Sequence, residues 1–213
     1  MRARKLPMIV PLGAALIFVT IAHGTESPPL PQGVLDTLGA LDSAPTTVEL
    51  NAAFMGSAST TAQSLATITA DTTNDIGVRL RAIHALGQYC PLPGDPPPCA
   101  DTDPSHVALT DLITTLGGEN LQANGGSDLL LLRAAIETLG PLQVSTDAPA
   151  LVTLLDHPSR DIRASTANAL RDLCNTDQAT TDALRTRLGH ETVDQVKLAI
   201  TDALSVLGEC TPP

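Results

Sequence analysis

The stretch RDIRASTANALRDLC, residues 160–174, closes on ALRDLC, and ALGQYC at residues 85–90 repeats that ending. Self-similarity of this kind constrains the fold more than any other feature. It marks a supersecondary unit that cannot bury its apolar face alone and is stacked on copies of itself. On a helical period, Ile162, Thr166, Ala169, Leu170, Leu173 and Cys174 share one side of a helix with a single buried face. Upstream, DAPALVTLLDHPSR reads as a shorter apolar helix ended by a turn at His157 and Pro158. The two together make a helix hairpin of about 27 residues.

Anchoring on the leucine of each second helix finds further copies. Val78, Arg79, Ala85, Leu86 and Cys90 align with Ile162, Arg163, Ala169, Leu170 and Cys174. Downstream, Val196, Lys197, Ala203 and Leu204 match, and VALTDLITTLGG with SDLLLLRAAIETLG supplies another pair anchored on Leu139. The anchors Leu86, Leu139, Leu170 and Leu204 are separated by 53, 31 and 34 residues. The first interval carries the insertion PLPGDPPPCADTDPSH. Residues 25–58 read as an N-terminal linker with a degenerate pair of capping helices, and residues 59–210 as the array, leaving a tail at 211–213.

The pattern LVTLLDHPSRDIRASTANAL resembles the HEAT repeat: an apolar first helix, Asp and Pro near the turn, then an Ile-Arg pair and a second helix with spaced Ala, Ala and Leu. DIGVRLRAIHALG and VDQVKLAITDALSVLG are similar to the same second helix. The resemblance is to HEAT arrays of an exported bacterial type. It implies an all-α, right-handed solenoid of four to five helix hairpins that binds or scaffolds other proteins. The third unit departs from the pattern, with Leu132 where the others have Arg or Lys.

The N-terminus reads as a secretory signal peptide over residues 1–24. Arg2, Arg4 and Lys5 precede the apolar run MIVPLGAALIFVTIA, which ends on Ala22-His23-Gly24. A retained membrane anchor is the rival reading, but a run of about 15 residues with Pro11 and Gly13 is shorter than the roughly 20 that a bilayer requires. Cleavage lowers the 12 Lys and Arg to 9 against 23 Asp and Glu, a net charge of about −14. Such a surface repels nucleic-acid phosphates and anionic lipid, so the expected partner is a protein. Only Phe54 and Tyr89 remain as aromatic residues, which leaves no platform for base or sugar stacking. The destination is periplasmic or extracellular, with the chain a monomer or weakly self-associating.

An oxidising compartment permits disulfides among Cys90, Cys99, Cys174 and Cys210. Equivalent positions of stacked helices lie roughly 10 Å apart per repeat. Cys90 and Cys174, two repeats apart, are therefore beyond the roughly 7 Å between Cα atoms that a disulfide spans. The register predicts Cys90 with Cys99, closing the insertion at 90–106, and Cys174 with Cys210, pinning the last repeat.

No catalytic residue, cofactor site or metal site is expected. HETVD, residues 190–194, lacks the second histidine of a zinc-protease motif, and Glu191 and Asp194 read as acids at a helix start. His84 reads as a partly buried helix residue, and His106 and His157 as solvated turn residues. The acidic loops 69–75 and 100–106 lack calcium-loop spacing and read as helix caps. The insertions at 90–106 and 116–128 are either binding loops or neutral growth. The residues that remain are Arg79, Arg163 and Lys197, a sparse basic row at equivalent positions. They either tie neighbouring repeats together through the turn acids Asp75, Asp156 and Asp161, the favoured role, or read an acidic partner. The rivals to a protein-binding scaffold are a structural envelope protein that self-associates and an accessory subunit of an envelope enzyme.

Overall fold

The computed structural model describes residues 30–40, 44–90, 99–118, 126–174 and 177–210. The signal-peptide reading and the linker up to residue 29 lie outside them. All regular structure among the described residues is helical: α1 Gln32–Gly39, α2 Thr47–Ala53, α3 Ala58–Ala70, α4 Ile76–Leu86, α5 Pro104–Gly117, α6 Gly126–Leu139, α7 Ala148–Thr153, α8 Arg160–Leu173, α9 Gln178–His190 and α10 Asp194–Leu207. No helix among these residues is long and apolar enough to cross a membrane.

The helix starts are written in the sequence. A helix leaves its first backbone N–H groups without partners, and a short polar side chain just before it accepts from one of them. Ser57 accepts from Thr60 N, Asp75 from Gly77 N and Asp177 from Thr180 N. Thr46 and Glu49 form a reciprocal capping box on α2. Pro104 opens α5, where its missing N–H costs nothing.

The helices pair as α3/α4, α5/α6, α7/α8 and α9/α10, and the second helices stack in the order α4, α6, α8, α10. In the other layer α3 lies beside α5, and α7 beside α9. At the N-terminal end α1 packs on α4 and α2 on α3, so the short first pair covers the face of the array that has no preceding repeat. This is an α-solenoid of hairpins. Each first helix contributes one fully buried leucine: Leu65, Leu109, Leu151 and Leu184. Leu86, Leu139 and Leu170 are the matching residues of the second helices, and Leu204 is only half-buried, on a helix that among the described residues has a stacked neighbour on one side.

Helix α8 departs from the one-faced pattern. Besides Ile162, Thr166, Ala169, Leu170 and Leu173, it buries Arg163, Ala164, Ser165 and Ala167. An interior second helix touches α6 and α10 on two sides while α7 covers a third. Small residues on its remaining faces are what allow that approach. Gly140, just after α6, shows how close the stack is: a Cβ there would sit 2.7 Å from the Cα of Ala169.

Cys90 is bonded to Cys99 and Cys174 to Cys210, with Cα separations of 5.0 and 5.8 Å. The first bridge closes the insertion between α4 and α5. The second joins the C-terminus of α8 to the residues after α10. Cys174 has φ of 54°, a left-handed conformation that ends α8 and turns its side chain toward the tail.

Candidate protein-interaction surface

Arg79 and Arg163 occupy equivalent positions in the first turns of α4 and α8, and neither forms part of a surface row. They are only 9% and 7% exposed. Each caps the turn of its own hairpin. Arg79 Nε donates to the Thr69 carbonyl at 2.9 Å, near the end of α3 where helix carbonyls lack partners. Arg163 Nη1 donates to the carbonyls of His157 and Pro158 at 2.9 and 3.0 Å.

Arg163 also reaches the next repeat. Its Nε and Nη2 donate to the two oxygens of Glu191 at 2.7 and 3.0 Å, a bidentate pair. Glu191 precedes α10, its side chain is wholly buried, and it accepts as well from Arg187 and from the amides of Thr192 and Val193. The Arg163 hydrogen bonds, with those amides and Arg187, hold its carboxyl far below the usual carboxylate range against the opposing effect of burial.

The pairing differs from the one expected of the turn acids. Asp75 caps α4, Asp156 accepts from Arg187 of the next repeat, and Asp161 lies 3.6 Å from its neighbour Arg160. Lys197 is half-exposed and lies 3.7 Å from Asp194 on its own helix. Asp75, Asp156 and Asp161 all sit at exposed turn positions, whereas the buried guanidinium of Arg163 is met by the longer side chain of Glu191. Leu132, the odd member of the row, is fully buried.

Two histidines read as solvated are not. His106 and His157 are 4% and 1% exposed, while His84 stands exposed on α4. His106 Nε2 lies 2.9 and 3.0 Å from the Asp147 oxygens, and its Nδ1 lies 3.2 Å from the Asp101 carbonyl. This buried pair links the start of α5 to the start of α7, across successive repeats. Burial raises the Asp147 carboxyl, and His106 opposes it. With both ring nitrogens engaged, the imidazole has no free site from which to activate a nucleophile. His157 Nδ1 accepts from Ser159 N at 3.0 Å, and burial holds its pKa below the usual histidine value.

The acidic loops are occupied with local bonds. Asp71 accepts from Thr73, Asp103 from Ala100 N, and Asp101 from Thr146. Asp103 approaches the sulfurs of Cys90 and Cys99, but the disulfide removes the thiolates a metal would need.

Between α3 and α5 lies an open trough of about 660 Å³. Ala66, Ala70, Val107, Ala108, Leu112 and Leu116 give it apolar walls, Asp111 and Asp128 stand on it, and Arg79 lines it. A sequence model of the family HEAT repeats matches residues 121–205. That part of the chain, from the end of the α5–α6 connection to α10, is similar to HEAT repeats. The match runs to the last turns of α10, and the α3/α4 hairpin ahead of it packs on α5 and α6 as the later hairpins pack on one another. No curated protein gives a match. HEAT repeats generally mediate contacts between proteins, and the bonded cysteines fit an oxidising location.

Proposed function

We propose that the mature chain is an exported, non-enzymatic HEAT scaffold that binds another protein along its open helical surface. One observation carries this reading. The buried charges Arg163, Glu191, His106 and Asp147 are engaged in holding one repeat to the next, while the trough between α3 and α5 stays open. Charges placed as ties make a rigid array, and a rigid array loses little order when a partner docks. The signal-peptide pattern at residues 1–24 and the two disulfides support export to the periplasm or beyond. Nucleic acid and anionic membrane are disfavoured as partners by the net charge, −11 for the whole sequence and about −14 after cleavage.

In-cell crosslinking of the tagged full chain, followed by mass spectrometry of envelope and medium fractions, tests the reading. A reproducible protein partner in one fraction is expected. Recovery of self-crosslinks alone would replace the scaffold with a self-associating structural protein. That second reading draws on apolar side chains near both ends of the array: Val48 and Met55 at the cap and Leu198 on α10 are 75%, 91% and 71% exposed. Concentration-dependent sedimentation, abolished by Leu198→Glu, would establish it.

A further inference from the structure

The two equivalent arginines differ in one respect. Arg163 caps its own turn and also takes a carboxylate from the following repeat, whereas Arg79 caps its turn through Nε alone. Among the described residues no carboxylate pairs with Arg79, although its side chain is about nine-tenths buried. A guanidinium carries five N–H donors, and those of Arg79 that the Thr69 carbonyl does not take are not among the buried polar atoms without a partner, so they reach solvent. The Arg79 side chain lines the trough between α3 and α5, so its unused edge faces a space that a ligand can enter.

The trough is long enough to take a short extended peptide. Its wall on α5 runs from Pro104 to Thr115, about 16 Å at the rise of a helix, which spans roughly five residues of extended chain. Val107, an exposed large apolar residue, stands on that wall with Ala108 and Leu112, and Ala66 and Ala70 face it from α3. Asp111 and Asp128 add negative charge along it. The occupant that meets all three features is an extended peptide with one carboxylate for Arg79, apolar side chains beside it, and a basic residue for the two aspartates.

We propose that the α3/α5 trough is the docking site for such a segment of a protein partner, with Arg79 receiving its carboxylate on the Nη groups while Nε stays with the Thr69 carbonyl. The proposal rests on the scaffold reading and names the surface that reading would use. The probe is a capped Lys-Leu-Glu-Leu-Ala peptide, with the same peptide carrying Gln for Glu as control. Both are titrated into the intact chain while the Arg79 Nε–H resonance is followed by NMR.

The glutamate peptide should shift that resonance and bind at least about tenfold more tightly than the glutamine peptide, the factor expected of a charged hydrogen-bonded pair. Ala108→Glu, a change on the trough wall away from the hairpin ties, should abolish binding with the helical circular dichroism unchanged. Arg79→Met should do the same, and Ala108→Glu keeps the test valid if Arg79→Met fails to fold. Equal binding of the two peptides, or binding that survives Ala108→Glu, would overturn the proposal. A crosslinked partner that is retained by Ala108→Glu would leave the scaffold reading standing and remove only this surface.

Discussion

Glu191 accepts both Nε and Nη2 of Arg163, from a residue 28 positions earlier and one repeat back in the stack. The carboxylate also receives Arg187 and two amides at the start of α10, so one buried group joins three helices. Such a pair contributes little net stability over a well-packed apolar substitute, but breaking it strands a buried charge. Glu191→Ala should therefore destabilise the chain by about 3–5 kcal/mol, whereas Glu191→Gln, which keeps an acceptor in place, should cost less. Urea unfolding of the two variants beside the parent measures this. Equal and small losses would mean that the Arg163 pair is not what joins α8 to α10.

Two of the buried groups give the array an acid limit with separable parts. His157 has its pKa lowered chiefly by burial, and its Nδ1 already accepts the Ser159 amide, so the unfolded chain binds the proton more readily. Its contribution is present above the usual histidine pKa of about 6.5 and is lost as pH falls through and below that value. Glu191, depressed, acts in a lower window: its stability is present above the usual carboxylate pKa of about 4.3 and is lost as pH falls from there. Asp147, raised by burial, has the opposite sign and regains stability as pH falls toward its own ordinary value. His157→Asn retains an acceptor for Ser159 and does not titrate. The fall in thermal stability between pH 7 and pH 5 should shrink in that variant, while the fall below pH 4 should persist.

The hairpins were legible because leucine and alanine recur at helical spacing, and each anchor leucine lies where that spacing puts it. The cysteine pairing was legible for the same reason, since the register of the stack forbids Cys90 from reaching Cys174. What the sequence hid was which polar groups the stack would bury. His106 follows a proline-rich insertion and looks like a solvated turn residue, yet α5 begins at Pro104 and draws it inward to Asp147. Glu191 sits in a turn beside a histidine and reads as a helix-start acid. It does accept from two helix-start amides, but its distant partner Arg163 depends on the offset between repeats, which no local pattern contains. The trough was also invisible, because it lies between α3 and α5, helices from different repeats separated by an insertion.

Gly140 follows the anchor Leu139 and meets the backbone of α8 directly. An added Cβ would lie 2.7 Å from the Ala169 Cα, 3.0 Å from its Cβ and 3.1 Å from its carbonyl oxygen. Backbone cannot swing aside as a flexible side chain would, so Gly140→Ala should push α6 from α8 and cost about 1–3 kcal/mol, the usual range for overpacking. Gly39→Ala, where a Cβ meets nothing within 4 Å, is the control and should be near neutral. Comparable midpoints of chemical unfolding for the two variants would show that α6 and α8 can part at Gly140 without cost.

Among the described residues the α9/α10 hairpin packs on one side only, and the Cys174 to Cys210 bridge ties it to α8. The bridge closes a sequence separation of 36 residues, against 9 for Cys90 to Cys99. In the chain-entropy account a loop of the longer length contributes about 4 kcal/mol and the shorter about 3 kcal/mol, by restricting the unfolded chain. The two losses should also differ in where they fall. Replacing Cys174 and Cys210 by Ser should raise amide exchange first in α9 and α10, which have packing on one side alone, before the central helices respond. Replacing Cys90 and Cys99 should instead act near the α4 to α5 connection and leave α10 protected. Hydrogen exchange resolved by helix reads both outcomes, and uniform loss of protection in either variant would mean that the array unfolds as one cooperative unit.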